Sequence, residues 1–174
     1  MRCFIAVVPP PAVLAALAEL PRPVEPGVRW TRPGTWHVTL RFLGDTDPAE
    51  VSRAMDALAG RHDPPGFPGP VEAELGPAVA RLGRHVVCVP VHGLADLAAV
   101  VGEATAHLGA PPDPRPFAGH ITLARLRARA ACGVAGAPVR ARFAVTEVVL
   151  FSSVLDREGP THTALRGWPV GGPP

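Results

Sequence analysis

His37-Val38-Thr39-Leu40 and His120-Ile121-Thr122-Leu123 carry one four-residue pattern twice: His, a β-branched residue, Thr, Leu. In a strand, successive side chains point to opposite faces. His and Thr then share one face, and the two apolar residues share the other. The chain must therefore fold at least two such strands with a polar side and a buried side. Set against each other, they bring two imidazoles and two hydroxyls around one small polar group. That is equipment for paired acid–base chemistry on a group such as phosphate.

The two copies extend further. His37-Val38-Thr39-Leu40-Arg41-Phe42-Leu43 and His120-Ile121-Thr122-Leu123-Ala124-Arg125-Leu126 also share Leu at the seventh position. A single His-x-Thr-Leu is a weak signal, because one strand histidine is as readily a hydrogen-bonded structural residue. The pair, with its shared extension, is specific.

At 174 residues and 47% hydrophobic content, the chain is long and apolar enough for one domain with a sizeable core. All 17 basic residues are Arg. Arg suits bidentate phosphate contacts, but 23 Pro, 18 Gly and abundant Ala point to GC-rich coding as the source of the Lys deficit. Cys3, Cys88 and Cys132 are odd in number, far apart and in no metal-ligand spacing, which reads as reduced thiols in a cytoplasmic protein. The apolar start is broken at once by Pro9-Pro10-Pro11 and reads as too short for a signal peptide, and no stretch approaches the length of a membrane span.

Hydrophobic patterning and breakers predict strands over residues 3–8, 28–31, 36–43, 71–75, 78–82, 85–91, 120–126, 143–155 and 161–168. Helices are expected over 12–20, 48–59 and 94–108, the second capped by Asp47 with Pro48 behind it. A hairpin is expected at Gly83-Arg84 and a turn over 156–160; residues 61–70 read as a loop, 127–139 as irregular or a short helix, and 171–174 as a frayed tail. Grouped strands with few helices make this an α+β chain with antiparallel sheet.

Phosphodiester hydrolysis needs a base to activate water, an acid to protonate the departing oxygen, and donors for the nonbridging oxygens. His37 and His120 supply the first two roles. Thr39 and Thr122 supply hydroxyl donors on the same faces. Arg41, four residues after His37, should share its face. Arg125, five after His120, falls on the opposite face unless a bulge returns it. Neither metal nor cofactor is required. Arg125, Arg127 and Arg129 together could form a positive path for an RNA backbone. His62, His85, His92 and His107 carry no such pattern and read as structural or surface residues.

The paired motifs resemble those of the 2H phosphoesterase superfamily. The flanking residues resemble its RNA 2′,3′-cyclic phosphodiesterase branch, also called 2′-5′ RNA ligases. Those residues are Arg2-Cys3-Phe4-Ile5-Ala6-Val7, Trp36 to Gly44, Pro116 to Arg125, and Leu150-Phe151-Ser152-Ser153 followed by Gly159-Pro160. The resemblance implies a single bilobal catalytic domain over residues 1–174, with two antiparallel sheets facing a central groove and helices outside. It implies metal-independent hydrolysis of RNA 2′,3′-cyclic phosphate ends to 2′-phosphomonoesters, and reversible 2′-5′ RNA ligation. His37 is then the proton donor and His120 the proton acceptor. Thr39, Thr122 and Arg125 bind the phosphate, and Arg41 and Phe42 stand with them as substrate-binding candidates. Where the branch usually carries Tyr, two residues after Gly-Pro, this chain has His162, expected to line the groove in its stead.

Expected partners are RNA ends with 2′,3′-cyclic phosphates, tRNA fragments among them, acted on by a monomer in the cytoplasm. Two alternatives stand beside this reading. One is a noncatalytic RNA-end or nucleotide-binding module of the same fold. The other is a phosphodiesterase for small cyclic nucleotides.

Overall fold

The computed structural model describes residues 1–61, 66–127, 130–156 and 159–171. His62, Arg129, the middle of the 156–160 turn and the end of the tail lie outside the described residues. The elements begin with β1 (Arg2–Val7), α1 (Pro11–Ala18), β2 (Val28–Trp30), β3 (Val38–Asp45) and α2 (Pro48–Ala59). Then come β4 (Val71–Leu75), β5 (Ala80–Leu82), β6 (Val86–His92), α3 (Ala95–Ala104) and β7 (His120–Leu126). The chain closes with β8 (Ala141–Val145), β9 (Glu147–Asp156) and β10 (Gly159–Pro169).

The strands run in the order β10-β9-β1-β3-β7-β6-β4-β8, with β2 added to β7 and β5 to β6, every pairing antiparallel. This is the α+β architecture expected, mostly sheet with three helices, curled into a half-barrel. The two halves meet at β3 and β7, where Val38 pairs with Ile121. These are the β-branched residues of the two motifs, and both are fully buried. Antiparallel order about that pair sets His37 toward Thr122 and Thr39 toward His120, so the two motifs lie side by side across the seam.

The helices cover the outer side, with α3 against β3, α2 against α3 and β10, and α1 against β8. Asp47 caps α2 by accepting from the Ala49 N–H at 2.9 Å, with Pro48 at the first helical position. The helix α3 stops at Ala104, short of the predicted 108. Thr105 turns its hydroxyl back onto the Val101 carbonyl at 2.7 Å. Gly109 then adopts φ +60°, where a Cβ would stand 2.1 Å from the Leu43 carbonyl oxygen. The segment after α3 thereby lies directly on β3.

The strand predicted over 143–155 is two strands. Phe143 and Val145 are buried in the half that holds β4, whereas Val148 and Leu150 are buried in the half that holds β1. The buried positions change parity at Thr146, where the chain passes from one half to the other. Described residues of the 127–139 segment form turns rather than a helix.

Candidate active site

His37 and His120 are held in the same way. The Nδ1–H of His37 donates to the carbonyl of Thr35 at 2.7 Å, and that of His120 to the carbonyl of Ala118 at 2.8 Å. Each acceptor is two residues upstream of its histidine. A carbonyl only accepts, so each neutral imidazole carries its proton on Nδ1 and leaves Nε2 as a lone pair. The Nε2 of His37 lies 3.1 Å from the Thr39 hydroxyl. Both histidines and both motif threonines line one cavity of about 240 Å³.

Aromatic rings back His37. Phe4 stacks on its imidazole at 4.7 Å, and Phe151 stacks on Phe4 at 5.2 Å. His162 meets His37 edge-on at 5.2 Å and Phe4 at 4.9 Å, with its own Nδ1 buried and unpartnered. Burial therefore drives the His37 pKa down to about 4, and the charges of His162, His120 and Arg125 act in the same sense. The hydrogen bond to Thr35 opposes the shift without cancelling it. Burial also lowers the His162 pKa. His162 thus lines the pocket, as expected of the residue standing where the branch usually has Tyr.

Arg125 lines the pocket too, and Arg41 does not. One irregularity, repeated in both motif strands, explains the reversal. In β3, Ala6 pairs with Thr39 and Ile5 with Arg41, so Leu40 is an extra residue. In β7, Cys88 pairs with Thr122 and Val87 with Ala124, so Leu123 is an extra residue. These are β-bulges at the Leu of each motif. Each bulge buries two consecutive residues, Leu40-Arg41 and Leu123-Ala124. Alternation beyond them is inverted, which carries Arg125 onto the face of His120.

Arg41 is correspondingly turned inward, 6% exposed, and donates to the carbonyls of Phe42, Leu108 and Ala110. It pins the segment after α3 onto β3 rather than touching the groove. Phe42 also lies outside the pocket lining, 44% exposed, with the Arg2 guanidinium 5.0 Å from its ring centre. Neither residue stands where the expected substrate contact would require it. Arg127 is exposed and likewise outside the lining.

A polar clasp that strand patterning does not reveal ties the motifs together. The Thr31 hydroxyl lies 2.7 Å from the Thr122 carbonyl and 2.9 Å from that of Leu123, and it accepts from Trp36 Nε1 at 2.9 Å. Trp36 immediately precedes His37 and is buried. The approach to the first motif is thus fastened to the backbone of the second. Arg29 and Arg32 also enter the pocket from the β2 region. They were missed because a three-residue strand and a proline turn carry no periodic signal.

None of the described lining residues is an acid, so the cavity presents imidazoles, hydroxyls and guanidiniums, a set suited to an anion. Among the described residues no three His, Cys, Asp or Glu side chains converge as a metal site. Cys3, Cys88 and Cys132 are free and buried, and burial raises each thiol's pKa, that of Cys88 to about 11.

Residues 7–72 and 89–162 match the family of LigT-like phosphoesterases, and both motifs fall inside the matched stretches. The chain belongs to that family. An RNA 2′,3′-cyclic phosphodiesterase of Geobacillus stearothermophilus is 29% identical over an alignment of length 163, and the match covers 83% of this chain and 48% of that protein. The chain therefore spans about half the length of this curated relative. Among solved structures, a Thermus thermophilus protein is 28% identical with a TM-score of 0.79, covering 99% of each chain. The E. coli LigT complexed with 3′-AMP is 28% identical with a TM-score of 0.75, covering 98% of each chain. Membership makes this protein a 2H phosphoesterase, the resemblance the motifs carried. Among the described residues no helix is long and apolar enough to cross a membrane.

Proposed function

We propose that this protein hydrolyses 2′,3′-cyclic phosphates at RNA ends to 2′-phosphomonoesters, without a metal, by proton transfer between His37 and His120. The observation that carries the reading is the matched pair of histidines. Each is fixed through Nδ1 to a carbonyl two residues upstream, and each shares with a threonine hydroxyl one cavity whose described lining residues include no acid. The phosphate sits between the imidazoles, with Thr39, Thr122 and Arg125 donating to its nonbridging oxygens. His120 takes a proton from the attacking water. His37 gives a proton to the departing 3′ oxygen.

A proton donor must hold a proton, and in the free protein the low pKa keeps His37 neutral near pH 7. A phosphate anion beside the ring favours the charged imidazolium and raises that pKa. In this mechanism substrate binding and protonation of His37 are therefore one event. An oligonucleotide ending in a 2′,3′-cyclic phosphate, incubated with a chelator, tests the reaction. A 2′-phosphate end is expected, and conversion should be lost in His37→Asn and His120→Asn. A 3′-phosphate product would reverse the leaving group. Full activity in both variants would remove these residues from the chemistry. Binding of the end without any turnover would favour the noncatalytic module.

A further inference from the structure

Arg29 and Arg125 stand directly opposite one another across β2 and β7. Both are exposed and line the candidate cavity. Like charges directly opposed on a sheet disfavour the pairing that joins them. Among the described residues neither guanidinium has an ion pair or a hydrogen bond, and none of the described lining residues is an acid. Two adjacent guanidiniums with no acid partner among the described residues, beside a phosphate site, are a recognition element for more negative charge than one phosphate carries.

The scissile cyclic phosphate is a monoanion, and the proposed mechanism places it on the motif residues and Arg125. Arg29 lies one strand further out. Its terminal nitrogen packs so closely on Gly159 that a Cβ there would stand 2.7 Å away. Gly159, at φ +125°, therefore leaves room for the guanidinium to lie across the pocket rim between β2 and β10. From this position Arg29 can serve a second anion held a short way from the first. In an RNA end that anion is the phosphate on the 5′ side of the terminal nucleoside, one ribose from the cyclic phosphate.

We propose that Arg29 binds the phosphate 5′ to the terminal nucleoside, so that the site selects polynucleotide ends over nucleoside cyclic phosphates lacking that group. The proposal rests on the hydrolase reading above and names its substrate class. It separates RNA ends from the small cyclic nucleotides held as an alternative.

The smallest probes are a nucleoside 2′,3′-cyclic phosphate and its 5′-phosphorylated form. In the wild type the 5′-phosphate should raise kcat/KM on the order of tenfold, the worth of one charge-assisted contact. That gain should shrink with added salt. In Arg29→Gln the gain should vanish, and Arg29→Lys should restore part of it. Equal kcat/KM for the two substrates in the wild type, or a gain that survives in Arg29→Gln, would overturn the assignment. Calorimetric binding of a nucleoside 2′,5′-bisphosphate against its 2′-monophosphate decides the point without turnover. The bisphosphate should bind more tightly to the wild type and equally to Arg29→Gln. Equal binding by the wild type refutes the Arg29 subsite. Absence of turnover on the oligonucleotide with a 2′,3′-cyclic phosphate end refutes the hydrolase reading while leaving this comparison decisive.

Discussion

The depressed pKa of His37 is a statement about stability as well as chemistry, and that makes it measurable on the protein alone. In the unfolded chain an imidazole titrates near 6.5; in the folded protein burial against Phe4 lowers His37 to about 4. Between those values the unfolded chain binds more protons than the folded one. Stability therefore rises with pH across this window, is complete above about 6.5, and is lost as pH falls toward 4. At about 1.4 kcal/mol per pH unit, the loss from this residue approaches 3 kcal/mol at the acid end. His37→Asn is the reference, because its side-chain amide can still donate to the Thr35 carbonyl but does not titrate. Urea unfolding of both proteins at pH 7.5, 6, 5 and 4 isolates the effect, since other groups contribute to both curves. The wild type should lose about 3 kcal/mol more than the variant between the highest and lowest pH. Parallel curves would mean that His37 protonates freely inside the fold, and the burial argument would fall with them.

Three further outcomes are expected. In His120→Asn, where turnover is blocked, binding a nucleoside 2′,3′-cyclic phosphate near pH 7 should take up close to one proton. Calorimetry in buffers of different ionisation enthalpy reads that uptake, and its absence would take the acid role from His37. Arg41→Ala should cost about 2–4 kcal/mol in denaturant unfolding, because buried carbonyls of the segment after α3 lose a charged donor. Its kcat per folded molecule should stay within a few-fold of wild type, whereas a groove residue would lose far more. Thr31→Val leaves the Trp36 N–H without its partner and unfastens the motifs. It should cost about 1–3 kcal/mol and lower kcat/KM, with the Trp36 fluorescence reporting the altered contact.

Much of this site was legible before any coordinates. His, Thr and two apolar residues at period two place polar groups on one face wherever the segment lies in a sheet. That holds for Val38 and Ile121, which are fully buried, and for the pocket-facing His37, Thr39, His120 and Thr122. The same rule failed two residues later. Arg41 was expected beside His37 and is buried on the other face; strict alternation turned Arg125 away unless a bulge returned it, and it lines the pocket. Both departures from alternation come from one cause, a bulge at Leu40 and another at Leu123. A bulge is a mismatch between two paired strands, so it is not written in either strand alone.

The sequence by itself determined the strand character of the two motifs, their polar and buried faces, the three helices, and a resemblance specific enough to name the family. Local propensity and periodicity act within a few residues, and those features need nothing more. Tertiary structure alone decided that Val38 and Ile121 pair at the seam, that Thr31 and Trp36 clasp the motifs, and that burial, with Phe4 stacked on the ring, lowers the His37 pKa. It also brought Arg29 opposite Arg125. Apart from the local Trp36–Thr31 bond, each of these joins residues about 30 to 100 positions apart, and register, burial and electrostatic environment exist only once such segments have met.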